Sequence, residues 1–129
     1  MSSTEPHPYT PYGELLLNTA RESIRYGLIH AVPLALNIEF YHPLLRNPGA
    51  SFVTLHQLGH LRGCIGSLEP TRPLIIDVSN NAFSAAFRDP RFSPLRDEDL
   101  DNLDLHVSIL GPLEPLICAN NTELLQRIV

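Results

Sequence analysis

Two segments of the chain carry apolar residues at helical spacing. From residue 10 to about residue 29, leucine, alanine and isoleucine recur every three or four positions, with arginine and glutamate on the opposite face. This pattern predicts an amphipathic helix with Thr10 as its N-cap. The same spacing predicts a second helix over residues 72–88 with Thr71 as its N-cap. Asp89-Pro90 ends this helix, because a residue before proline avoids helical geometry.

Alternation of apolar and polar residues predicts strands elsewhere. Residues 103–110, LDLHVSIL, alternate strictly and predict a half-buried strand. A short strand is expected near residues 36–40, within a proline-rich crossing. The acidic residues 91–103 are expected to form a connection with a short helical turn, and a short terminal helix is expected from Thr122.

Residues 51–67, SFVTLHQLGHLRGCIGS, predict a β-hairpin around QLG. Its register matters because a shift of one residue moves every side chain to the other face. A three-residue loop, with Gly59 left-handed, gives one apolar and one polar face, whereas a two-residue loop at Leu58-Gly59 mixes them. The pattern therefore favours the longer loop, in which His56 faces His60. The apolar face then carries Val53, Leu55, Leu61 and Ile65, and the polar face carries Thr54, His56, His60, Arg62 and Cys64.

The composition indicates one globular domain and excludes several functions. Of the 129 residues, 43% are hydrophobic, and residues 1–9 are polar enough to form a flexible tail. The net charge of −5, without lysine or any basic run, argues against nucleic-acid binding. No stretch approaches the roughly 18 apolar residues of a membrane-spanning helix, and the N-terminus lacks a secretion-signal pattern. We therefore expect a cytoplasmic protein in which Cys64 and Cys118 are reduced thiols.

Cys64 is the first candidate for chemistry. A nearby cation lowers the pKa of a thiol, so Arg62 on the same strand face, with His56 or His60 as a base, would give a thiol nucleophile. The alternative is that Cys64 is a small residue in a closely packed place. The glycines on either side would then be there for room.

Two further groups of residues have a possible binding role. His56 and His60, joined by Cys64 or His106, have ligand types that suit a transition metal. Carboxylates do not cluster near them, and we predict no metal. The RDPR segment, Arg88–Arg91, either holds an anionic ligand through arginine forks or ties a loop by Arg–Asp pairs.

Three stretches together resemble the AMMECR domain family, whose bacterial members are often called AmmeMemoRadiSam system protein A. They are LRGCIG at residues 61–66, RDPRF at residues 88–92 and VSIL at residues 107–110, in the family's order and spacing. The resemblance runs from about residue 15 to residue 115. It implies an α+β fold, an antiparallel β-sheet flanked by helices. Residues 10–129 would form a single domain that is incomplete at its C-terminus, because family members continue for several dozen residues.

The resemblance also implies a function without an assigned reaction. It suggests an accessory domain that binds a small ligand or a partner, linked to MEMO-like and radical-SAM proteins, with the LRGCIG hairpin as its functional face. The alternative is a thiol-dependent enzyme with Cys64 as nucleophile, Arg62 stabilising the thiolate and His56 as base. No cofactor is expected in either case. The expected ligand-binding residues are Leu61, Arg62, Gly63, Cys64, Ile65, Gly66, Arg88, Asp89 and Arg91.

Overall fold

The structure, a computed structural model, describes residues 8–110 and 116–119 and confirms the expected α+β class. Its helices are α1 (Gly13–His30), α2 (Pro43–Arg46) and α3 (Leu74–Phe87). Its strands are β1 (Pro48–Gln57), β2 (His60–Gly66), β3 (Arg72–Pro73), β4 (Leu103–Leu110) and β5 (Leu116–Ala119). Three short 3₁₀ turns occupy Thr10–Tyr12, Ile38–Phe40 and Asp97–Asn102. Within the described residues, the helices are too short or too polar to cross a membrane.

The strands form one antiparallel sheet in the order β2-β1-β4-β5, and β3 pairs with the start of β1. Val53 lies between Ile65 and Val107, and these side chains share the face on which the helices pack. The predicted strand at 103–110 is confirmed as β4. The buried core on this face combines the sheet with the apolar stripes of α1 and α3, including Leu16, Ala20, Ile24, Ile75, Val78, Ala82 and Ala85.

The predicted loop of the hairpin is wrong, although Gly59 has the expected positive φ of 85°. β1 and β2 are joined by the two-residue turn Leu58-Gly59, and Leu58 also has a positive φ, of 53°. Two left-handed residues are what a type I′ turn requires. Gln57 therefore faces His60, and His56 does not.

A bulge in β2 explains why the pattern of the hairpin misled the prediction. His56 faces Leu61, whereas Leu55 faces Gly63, so Arg62 is an extra residue without a partner in the ladder. Beyond Arg62 the pairing is shifted by one residue. Leu61 is consequently 39% exposed and does not belong to the apolar face. The other predicted members of that face remain together: Val53, Leu55 and Ile65.

Both predicted helix starts are corrected. Thr10 lies within a 3₁₀ turn, and α1 begins only at Gly13. α3 begins at Leu74 rather than at Arg72, with Pro73 in place of Thr71 as its N-cap. Proline pushes the residue before it into extended geometry, so Arg72 joins a β bridge to β1 instead of the helix.

The segment between α1 and β1 is irregular, but the expected strand near residues 36–40 is wrong. Ile38–Phe40 is a 3₁₀ turn that begins after Asn37, whose side chain accepts a hydrogen bond from the Glu39 N–H. Such a local side-chain bond competes with strand pairing. The helical turn expected in the acidic connection is confirmed at Asp97–Asn102. The helix expected from Thr122 lies outside the described residues.

Candidate functional site

The two glycines of LRGCIG are positions of close packing. A Cβ on Gly63 would lie 2.1 Å from the carbonyl oxygen of Ala85 in α3, and one on Gly66 would lie 2.2 Å from the ring of Phe52. Neither glycine has a positive φ, so space and not backbone freedom is what requires them. Gly63 therefore allows α3 to lie directly against β2.

Cys64 lies on the opposite face of the sheet from Gly63, because side chains alternate along a strand. It is a half-buried free thiol. Its Sγ is 3.2 Å from Oγ1 of Thr54, its neighbour on β1. The thiol thus lies among polar groups rather than in the leucine-rich core.

The backbone of Cys64 joins the hairpin to the RDPR segment. Its N–H donates to Oδ2 of Asp89 at 3.0 Å. Arg91 holds the same carboxylate with two donors, Nε to Oδ1 at 3.0 Å and Nη2 to Oδ2 at 2.8 Å. The hydrogen bonds from Arg91 hold the pKa of Asp89 well below its usual range, opposed by burial and aided by the Cys64 N–H. We call Thr54, Cys64, Asp89 and Arg91 the fork site.

The arginine that the structure connects to Cys64, through the Asp89 carboxylate, is Arg91 rather than Arg62. The pKa of Arg91 is raised chiefly by its hydrogen bonds to Asp89, and the charge of Cys64 adds a smaller effect of the same sign. Arg62 instead donates from Nη1 to the Ser93 carbonyl at 2.8 Å and pairs through Nη2 with Asp99 at 3.5 Å. The bulge therefore directs Arg62 to the loop that follows α3.

The remaining predicted binding residues have separate positions. The guanidinium of Arg88, which is exposed, lies 5.1 Å from the centre of the Phe83 ring. Ile65 packs against the core, and Leu61 lies near the hairpin turn. Asp89 and Arg91 therefore tie the RDPR loop to β2, which is one of the two roles considered for this segment, while the Arg91 side chain stays 57% exposed.

The histidine that lies beside His56 is His106 on β4, and not His60. The two rings are 5.2 Å apart between centroids. Nδ1 of His56 and Nε2 of His106 are buried without a hydrogen-bond partner. Burial lowers the pKa of His106, and the neighbouring His56 lowers it further, against a smaller opposing effect of Asp104. In the described ranges, 8–110 and 116–119, histidine, cysteine and carboxylate side chains form no group of three that would hold a metal ion.

Sequence reasoning missed a buried polar cluster at the start of α3. The Asp77 carboxylate is 1% exposed and accepts from the N–H and Oγ of Ser51, from Oγ of Ser67, from Nε of Arg72 and from Nδ2 of Asn81. These bonds fix the first turn of α3 to β1 and to the residue after β2. No local pattern in the sequence marks this cluster, because Asp77 lies outside the predicted apolar stripe and only the fold brings Ser51 and Ser67 to it.

Together these features define a class of protein: an α+β domain with two helices on one face of an antiparallel sheet and a cysteine-bearing hairpin tied to an Arg–Asp fork. The family model of AMMECR1 matches residues 17–127, and the chain belongs to that family.

Relatives of this chain occur in both bacteria and archaea. A protein of Thermotoga maritima is 39% identical over 112 residues, which cover 85% of this chain and 60% of the relative. A protein of Methanothermobacter thermautotrophicus is 43% identical over 104 residues, which cover 81% and 54%. The crystal structure of an uncharacterised protein from Pyrococcus horikoshii matches with a TM-score of 0.73 at 34% identity, over 79% of this chain and 52% of that one. The chain thus spans little more than half the length of these relatives.

Proposed function

We propose that this chain is an accessory domain that binds a ligand or a protein partner at the fork site without chemical turnover. The observation that carries the proposal is that the Cys64 N–H and Arg91 hold one carboxylate, that of Asp89. This arrangement brings together two of the runs that mark the family, LRGCIG and RDPRF, which are separated by more than twenty residues in the chain. The exposed Arg91 side chain supplies a cation, and the half-buried Cys64 a thiol, with which a ligand could interact.

The chemistry of the fork site favours an anionic group on the ligand. Nε and Nη2 of Arg91 are engaged by Asp89, which fixes the guanidinium and leaves the donors of Nη1 for another acceptor. Carboxylates and phosphates are the groups that arginine binds best. The family resemblance adds a MEMO-like or radical-SAM protein as the partner that would present such a group.

The test is isothermal titration calorimetry of the full chain with a purified MEMO-like protein from the same genome. Arg91→Ala is expected to weaken binding about tenfold or more, the worth of one charge-assisted hydrogen bond. Arg25→Ala is the matched control, because Arg25 is an exposed arginine on α1 that pairs with Glu22. Equal affinities for wild type and Arg91→Ala would contradict the proposed site.

A thiol-dependent enzyme is the second candidate, favoured by the Asp89 carboxylate, which holds the Arg91 guanidinium and the backbone of the thiol-bearing residue together. The contact that the structure gives Sγ is with a hydroxyl, Thr54, whereas a thiol nucleophile is activated by a base or a lowered pKa. The rate of alkylation of Cys64 against pH, read by peptide mass spectrometry with Cys118 as internal reference, separates the candidates. The enzyme would be favoured by an apparent pKa of the Cys64 thiol well below about 8.5. This pKa should then rise to about 8.5 in Arg91→Ala and stay low in Arg62→Ala.

A further inference from the structure

Residue 58 in the hairpin turn is a leucine, although the backbone conformation of the turn does not favour leucine and the side chain is not buried. Leu58 has a φ of 53° and is 74% exposed. The first central position of a type I′ turn favours asparagine, aspartate or glycine, because a bulky side chain strains the left-handed backbone. Leu58 therefore disfavours the turn and leaves a large apolar side chain in water. Observed strain of this kind is a reason to look for a function.

The residue that precedes this leucine is tied to an acidic turn. Nε2 of Gln57 donates to Oδ1 of Asp99 at 3.0 Å, and Arg62 pairs with Oδ2 of Asp99 at 3.5 Å. Asp99 thus ties both strands, next to the turn, to the acidic 3₁₀ turn Asp97–Asn102. The exposed acidic side chains of that turn are Asp97, Glu98 and Asp101.

The charges near the turn are predominantly negative. The side chain of Arg62 is 15% exposed, and its guanidinium is already engaged by Asp99 and Ser93. Arg96 is exposed and lies 3.4 Å from Glu98. Two exposed leucines of the hairpin and three exposed carboxylates thus belong to two turns that Asp99 ties together. We call these residues the tip surface: Leu58, Leu61, Asp97, Glu98 and Asp101.

We infer that the tip surface docks a basic amphipathic protein segment. The apolar side chains of the segment cover Leu58 and Leu61, and its lysine or arginine residues pair with the carboxylates of the tip surface. Burial of exposed leucines supplies affinity, and complementary charge supplies orientation and rate. This surface uses neither Cys64 nor Arg91, so it is independent of the fork site.

The test uses a fluorescein-labelled peptide of alternating arginine and leucine, and fluorescence anisotropy with the full chain. Leu58→Asn is expected to weaken binding about tenfold, because the leucine side chain is lost from the interface. The same variant is expected to raise the urea midpoint of unfolding, because asparagine suits the turn. Asp97→Asn with Glu98→Gln is expected to weaken binding at low salt and much less at high salt.

Two controls make the test specific. Leu68→Asn removes a leucine that is 83% exposed but lies beyond the other end of β2, and it should leave binding unchanged. A peptide with glutamate in place of arginine should not bind. Equal binding of wild type and Leu58→Asn, or equal binding of the acidic peptide, would overturn the inference. So would sedimentation that shows self-association lost in Leu58→Asn, since the occupant would then be a second copy.

Discussion

Replacing Gly63 by alanine is the change that most directly tests how α3 is placed on β2. The new Cβ would lie 2.1 Å from the carbonyl oxygen of Ala85, whereas real Cβ contacts shorter than 3.0 Å are essentially never observed. Van der Waals repulsion dominates at so short a distance, so the helix backbone or the strand must move by about 1 Å. Ala85 is itself buried, so a shift of α3 would also disturb the side chains that pack around it.

The expected loss of stability is about 3 kcal/mol, the upper end of the cost of overpacking a core. That is a large fraction of the roughly 5–15 kcal/mol that stabilises a domain. Urea unfolding followed by circular dichroism would measure it. With an m-value of about 2 kcal/mol/M, the midpoint should fall by about 1.5 M.

Two other glycines provide graded controls. Gly59→Ala meets no atom within 4 Å but has a φ of 85°, so it should cost only about 1 kcal/mol of backbone strain. Gly66→Ala meets the Phe52 ring, a side chain that can move, and should lie between the two. A cost for Gly63→Ala no greater than that for Gly59→Ala would refute the close contact of α3 with β2.

Three further substitutions test the polar groups. Asp77→Asn should lower the free energy of unfolding by about 2–4 kcal/mol in urea, because buried donors lose their acceptor; a loss below about 0.5 kcal/mol would count against the cluster. The pKa of Asp89 is lower in the folded chain than in the unfolded chain, so its carboxylate stabilises the fold above a pH of about 4. This contribution is lost as the pH falls further. In thermal unfolding measured over a pH series, Asp89→Asn should therefore reduce the fall in stability at acidic pH. Because the pKa of His106 is lowered in the folded chain, stability should fall as the pH drops below about 6.5. His106→Gln should reduce the slope of stability against pH in the same series. An unchanged slope would contradict His106 as the origin of this pH dependence.

The hairpin shows what the sequence pattern determines and what it does not. Alternation correctly placed Val53, Leu55 and Ile65 on the helix-facing side. It chose the wrong loop because a two-residue turn without a bulge would have mixed the faces, and the bulge at Arg62 corrects that mixing. A bulge adds one residue without changing composition, so an alternating pattern alone does not reveal it.

The same bulge explains why only some of the residues expected around Cys64 lie there. Cys64, Asp89 and Arg91 were all expected to bind ligand, which stays a prediction, and Asp89 accepts hydrogen bonds from both of the others. Arg62 was expected beside the thiol because residues two apart share a strand face. Its position in the bulge directs it to Ser93 instead. The pairing between His56 and His106 depends on β4, which is distant in sequence, so no local pattern contains it.

Asp89 links the stability of the sheet to the chemistry of the proposed site. Among the strands that the structure describes, β2 lies at the edge of the sheet, and an edge presents unpaired N–H groups that invite association with other chains. Asp89 accepts the Cys64 N–H at that edge, and its negative charge is in turn balanced by Arg91. The carboxylate therefore does two things with one geometry, since it occupies one N–H of the edge and fixes the Arg91 guanidinium.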